Sequence, residues 1–373
     1  MMRWLVAALF LCASVDIAAC PLCMGYRPST AQQLAVLQQA VLAQPATDGR
    51  GYRVVATIKG EPPSSGMIEA TAVQADGGAP ASGKPLLLAR DDKWPIWLSF
   101  GAIGAEHAGW LRQIVAGKSA TEMSAEEWRA RVALMLPYLE NREPLVAEIA
   151  YGELAAAPYA ALSATKSQLA TARVRQWLAD PKLAARQPMY LLLLGLGGNA
   201  QDAAVVERRL DEAWRAGDAM NLGSLIAADL QLRGPVRVAW VDERYLNDST
   251  RSSREVEAAL LALSVHGNAN TTVPRERVIK SYRMFMTAHK DIAGYVAQDF
   301  AAWRYWDAVP DYVALLKAGV KQQYPSQIAI IAYLRQSPAG KAGSIDLPLS
   351  EGLPLQQSTG MVPKAGSIPV LPQ

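Results

Sequence analysis

The sequence predicts an α+β multidomain chain: a small N-terminal antiparallel β domain, a long array of helices and a disordered C-terminal tail. Three observations predict it. Between residues 28 and 104, short apolar stretches alternate at period two and are separated by turn formers such as "GEPPSSG" and "ADGGAPASG". From Glu106 that signal fades, and apolar residues recur at helical spacing as far as Ser337. From Pro338 to Gln373, Pro, Gly, Ser and Gln dominate, a composition that buries too little apolar area to offset its ordering entropy. The expected boundaries are a signal peptide at 1–19, a cysteine-containing segment at 20–28, the β domain with one helix at 29–104, a helical linker at 105–143, helical repeats at 144–337 and the tail at 338–373.

The N-terminus predicts export, to the periplasm or to the surface of an envelope membrane. Arg3 gives a positive start, and "WLVAALFLCASV" (Trp4 to Val15) is an apolar run of signal-peptide length, too short to span a bilayer. The small residues Ala18 and Ala19 precede Cys20. "Ile17-Ala18-Ala19-Cys20" resembles a bacterial lipobox, which implies a lipid on the Cys20 thiol and attachment to a membrane. Ordinary cleavage after Ala19 leaves the same first residue without lipid. A processed chain keeps two of the three cysteines, Cys20 and Cys23, spaced as "CPLC". Thioredoxin-type chemistry needs a preceding strand, and none is visible. Haem attachment needs His where Met24 stands, and a tetrahedral zinc site wants further ligands that the sequence does not pair. The pair therefore reads first as an anchor or structural clip and second as a redox or metal pair. No cofactor or metal site is expected.

In the β domain, Ser29 or Thr30 caps a helix through "STAQQLAVLQQAVLAQ", with Leu34, Leu37 and Val41 on one face and Pro45 just beyond. "YRVVATIKG" reads as a strand with Tyr52, Val54, Ala56 and Ile58 on one face. "MIEATAV", "PLLLA" and "PIWLSF" read as further strands. One helix on such a sheet suggests an OB-like barrel, with four strands visible where about five are expected.

The helices follow. Ser124 and Glu127 form a capping box, and Pro137 ends or kinks the helix they start. "MYLLLLGLGG" is apolar all round and belongs in a core, whereas "DAAVVERRLDEAW" is amphipathic. Breaks near Gly197, Gly234 and Gly267 recur at ~35 residues, a repeat-protein period. Apolar inner helices paired with polar outer ones are what stacked hairpins require. This pattern resembles the HEAT/armadillo-like α-solenoid class, and the whole layout is similar to exported bacterial proteins with a CPxC start, a small β domain and a HEAT-like array.

For function, 37 basic against 34 acidic residues give a net charge of +3, too balanced for a nucleic-acid footprint. "GLGGNA" (Gly195 to Ala200) follows a helical run and reads as a helix end and turn. "SATK" matches the S-x-x-K of penicillin-recognising serine enzymes, with Ser163 as nucleophile and Lys166 helping to take its proton, but the companion motifs are absent. His107, His266 and His289 stand apart, with His266 expected at a helix end. The adjacent acids Asp242 and Glu243 read as solvated or capping charges. The best interaction candidate is "WRYW", where Trp303 and Trp306 are expected on one helix face with Arg304 beside them. The competing use of those rings is packing between repeats. The leading expectation is a non-enzymatic protein-binding or scaffold protein with an unidentified protein partner. Behind it stand a redox or metal-handling protein using Cys20 and Cys23, and a serine acyl enzyme using Ser163 and Lys166.

Overall fold

The computed structural model describes Leu22 and residues 28–74 and 83–345. Cys20, Cys23, the signal segment and the tail from residue 346 onward lie outside the described residues. Helix α1 (Thr30–Val36) opens on a capping box between Ser29 and Gln32. It is shorter than its periodicity predicts, because Leu37 is extended and the chain enters strand β1 (Gln39–Pro45). The expected helix over the second half of this stretch is thus a strand. Ala40, Val41, Leu42 and Ala43 are all fully buried, since β1 is central and covered on both faces. That burial outweighs the helix propensity of Gln, Ala and Leu, and a short apolar run carries no period that separates the two states.

The other strands are β2 (Gly51–Lys59), β3 (Met67–Glu69), β4 (Val73–Gln74), β5 (Leu86–Arg90) and β6 (Trp97–Ala102). They form a six-stranded sheet in the order β3-β2-β1-β5-β6-β4, antiparallel except for the parallel β4–β6 pair. The "MIEATAV" strand is divided by a 3₁₀ turn at Ala70–Ala72. Its first part pairs with β2 at one edge of the sheet, and its second part pairs with β6 at the other. Glu69 and Val73 are joined by so short a stretch that the two edges lie within ~14 Å. A flat sheet would separate them by ~24 Å, so this one curls back on itself.

The curl encloses a small core of Val41, Ala43, Ile68, Leu86, Leu88 and Trp97. The outward residues Ala40, Leu42, Leu87 and Ala89 join a larger core shared with the helices. Register slips in β1–β2 divide the face expected on β2. Tyr52 and Val54 pack on the small core, and Ala56 and Ile58 on the large one.

Helices α2 (Ala108–Val115), α3 (Ala125–Met135) and α4 (Pro144–Ala156) continue from the sheet. The Ser124–Glu127 box opens α3 as expected, and Pro137 lies in the 3₁₀ turn that ends it. Next come α5 (Tyr159–Ala164), α6 (Thr171–Ala179), α7 (Gln187–Gly197), α8 (Ala200–Ala216) and α9 (Leu222–Arg233). Helix α10 (Val238–Val241) runs into a π turn at Asp242–Leu246. Then follow α11 (Ser253–Ala269), α12 (Arg275–Ala288), α13 (Ala297–Ala302), α14 (Val309–Lys317), α15 (Tyr324–Gln336) and α16 (Pro338–Lys341).

The apolar helices α7, α9 and α11 lie side by side, while α6, α8 and α12 pack on α7, α9 and α11 respectively. Gly195 permits the α7–α9 approach, because a Cβ there would sit 2.8 Å from Ala228 Cα. Helix α4 contacts α1, α3 and β6, which makes the large core continuous from the sheet into the helices. Order runs past the expected boundary at 337: buried Ser337 caps α16, and Ile345 still packs on the large core. Among the described residues, no helix is long and apolar enough to cross a membrane.

Candidate functional site: arginine and tryptophan clusters

The "WRYW" residues do not share a helix face. Helix α13 ends at Ala302, and Arg304 adopts φ +54°, which turns the chain. Trp303 settles over Gly267 of α11, where a Cβ would meet its ring at 2.6 Å. Its ring stacks on Tyr282 at 5.6 Å, its Nε1–H donates to Asn268 Oδ1 at 2.8 Å, and the Arg275 guanidinium lies over it at 5.3 Å. Trp306 lies against Tyr333 at 5.2 Å. Both indoles are part-buried, and Arg304 is exposed. The two rings therefore pack on neighbouring helices, Trp303 on α11 and α12 and Trp306 on α15.

The same region explains the skew to 13 Tyr against 4 Phe. Several tyrosines are buried rings whose hydroxyls tie one element to the next. Tyr282 of α12 donates to Asp299 Oδ2 of α13 at 2.6 Å, and Ser264 of α11 donates to Oδ1 at 3.0 Å. Tyr312 donates to the Ala293 carbonyl at 3.0 Å, and Tyr333 to that of Tyr305 at 2.6 Å. Burial raises the Asp299 carboxyl above the usual range, opposed by its bond from Tyr282. His266 lies in the last turn of α11, as expected of a helix end, and Asn270 in the left-handed region closes that helix. It is fully buried, and its Nε2 bonds the Ala227 carbonyl of α9 at 2.9 Å. Burial lowers its pKa to about 4, so it is neutral near pH 7.

A second cluster was not visible in the sequence. On the outer layer, Arg237 lies over Trp240 at 4.7 Å, and Arg244 over Trp240 at 5.2 Å and over Trp214 at 4.0 Å. Arg251 lies over Trp214 at 4.9 Å. This ladder of alternating cations and indoles joins α8, α10 with its π turn, and the turns just before α10 and α11. Acids answer its outer rungs. Asp229 accepts from Arg237 at 2.6 Å, and Asp248 and Glu255 each pair with Arg251 at 3.2 Å. Burial raises the Asp229 carboxyl in spite of its two arginine neighbours. The only local signal was Trp240 with Arg237 and Arg244 at helical spacing; Trp214 and Arg251 arrive from other elements.

Asp242 is buried and pairs with Arg277 of α12 at 2.5 Å, so it is not the solvated charge expected. Ser163 lies in the last turn of α5, whereas exposed Lys166 begins a separate 3₁₀ turn; no hydrogen bond joins them. The fold also gathers Glu106, His107 and Glu143 within reach of one another. There, Glu143 already accepts from Lys84 at 2.9 Å and from the Gly104 N–H at 2.8 Å, which leaves that carboxylate engaged. Leu22, between the two cysteines, is part-buried on the large core beside Gly223 of α9, where a Cβ would come within 2.5 Å of Leu22 Cδ2. Set beside known proteins, the chain matches no family model, no curated protein and no solved structure.

Proposed function

We propose that this is an exported, non-enzymatic protein-binding or scaffold protein, tethered through a lipid on Cys20, which presents the outer surface of a HEAT-like α-solenoid beside an OB-type barrel. The row of buried α7, α9 and α11 under an outer layer of α6, α8 and α12 carries this reading. Stacked hairpins of this kind form a rigid wall with a wide charged surface. The barrel assignment is supported by strand order. β1, β2 and β3 run as a meander, β5 returns beside β1, and β6 pairs in parallel with β4, with β3 and β4 counting as one divided strand. Leu22 against Gly223 supports the tether, since the residue two positions after Cys20 packs on α9.

Two measurements on protein in its native envelope test the proposal. Mass spectrometry of the N-terminal peptide is expected to find a chain starting at Cys20 with added acyl mass. An unmodified Cys20 overturns the tether, and a deficit of two hydrogens turns attention to a Cys20–Cys23 disulfide and the redox alternative. Cross-linking in intact envelopes is expected to attach a protein partner to the outer helices. Recovery of the uncross-linked chain alone overturns the scaffold reading.

A further inference from the structure

We infer that Arg244, the middle rung of the ladder, is a receptor for a single carboxylate of a partner protein. The other two arginines of the ladder have carboxylate partners; Arg244 has none. Arg237 is answered by Asp229 and Glu207, and Arg251 by Asp248 and Glu255. Among the described residues, Arg244 makes neither an ion pair nor a hydrogen bond. Its guanidinium lies over the two indoles. Rings cover the planar surface of the guanidinium, and the side chain is part-exposed. What remains for recognition is the N–H edge, whose fork matches the two oxygens of a carboxylate.

The group is also held in place. Arg244 sits in the π turn at Asp242–Leu246, a local departure from α geometry that is frequent at functional sites. Asp242 in the same turn is fixed to Arg277, and the ring of Tyr245 is fully buried. An arginine already immobilised loses little side-chain freedom when a ligand arrives. The ladder also carries more donors than acceptors, because Trp214 Nε1, Arg237 Nη2 and the Tyr245 hydroxyl have no partner.

Charge selects the ligand. One unanswered cation matches one negative charge. Asp211, one turn before Trp214, and Glu243 and Asp248, flanking Arg244, add negative charge nearby, which opposes a phosphate dianion or a sulfated chain more strongly than a single carboxylate. The acidic side chain of a protein segment meets both conditions. That the carboxylate belongs to a protein rests on the scaffold reading above; the site itself does not.

The test follows the indole N–H signals of Trp214 and Trp240 by NMR on the full chain, assigned through Trp214→Phe and Trp240→Phe. The probes are an end-blocked Gly-Glu-Gly peptide, its Gly-Gln-Gly counterpart and inorganic phosphate. Saturable shifts with the glutamate peptide alone are expected. Arg244→Gln should weaken them about tenfold or more, as loss of a bidentate charged contact implies. Arg244→Lys, which keeps the charge without the fork, should fall between, and it replaces the Gln variant if that one melts early. Absent shifts, equal shifts with the glutamine peptide, stronger shifts with phosphate, or no loss in either variant would each overturn the site. Failure here removes the carboxylate site and leaves the scaffold reading standing. Envelope cross-linking that finds no partner, with the titration positive, does the reverse.

Discussion

The curled sheet and the helical array solve the problem of unique packing in different ways. Between residues 28 and 103, Thr30 is the only buried polar side chain among the described residues. The array buries Glu153, Asp202, Asp229, Asp242, Glu255, His266 and others. A strand has its register set by its ladder of backbone bonds, and a slip of one residue exchanges its two faces. Apolar helices such as α9 and α11 lack that constraint and could slide past one another at little cost. The cross-element bonds at Asp299, His266 and Asp242 remove this freedom. Alternation of apolar side chains specifies the sheet, and buried polar ties specify how the helices pack.

The sharpest way to break this contrast uses two adjacent, fully buried leucines of β5. Leu87 faces the core shared with the helices and Leu88 the enclosed one. Either change to Ala should cost about 2–5 kcal/mol. Hydrogen exchange should show loss of protection in sheet and helices for Leu87→Ala, but in the strands alone for Leu88→Ala. An equal spread for both would mean that the two cores are not separate.

Acid tests the array next. His266 is held neutral with a pKa of about 4 against an ordinary 6.5. Below about 6.5 the unfolded chain takes up this proton before the folded one does. Stability therefore falls between about pH 6.5 and pH 4, by on the order of 3 kcal/mol from this group. The carboxyls of Glu153, Asp229 and Asp299, raised by burial, act in the opposite sense, because the fold gains their protons first on acidification. Urea midpoints at pH 7 and pH 4 for the native chain and His266→Gln isolate the histidine. The variant should lose its share of the acid sensitivity, and an unchanged loss would refute the assignment.

A smaller effect is expected from Tyr282→Phe. The stack on Trp303 survives, and Asp299 loses its bond from the tyrosine hydroxyl, at about 1–3 kcal/mol. A neutral result in chemical denaturation would mean that water replaces the hydroxyl. The mildest change is Ser252→Ala, which removes the cap of α11 and should cost about 1 kcal/mol by the same assay.

The legibility of the two regions in sequence differs for the same reason. The Ser124–Glu127 box, the strands at β2, β5 and β6 and the buried character of α7 could be read, because each depends on neighbours in the chain. β1 could not, because its identity rests on being flanked by β2 and β5 from later in the chain. "WRYW" was misplaced by a left-handed residue, Arg304, that no propensity announces. In the ladder, Trp214, Arg244 and Arg251 come from three elements, and nothing in any one of them records the others.

The divided strand has one further consequence. Open sheets end in rows of unpaired amides on which a second chain can grow, a hazard that rises with local concentration. Here the outermost strands, β3 and β4, have three and two residues. Edges so short offer a neighbouring copy almost no template, and a protein crowded on a surface would gain resistance to aggregation from a turn of only Ala70–Ala72.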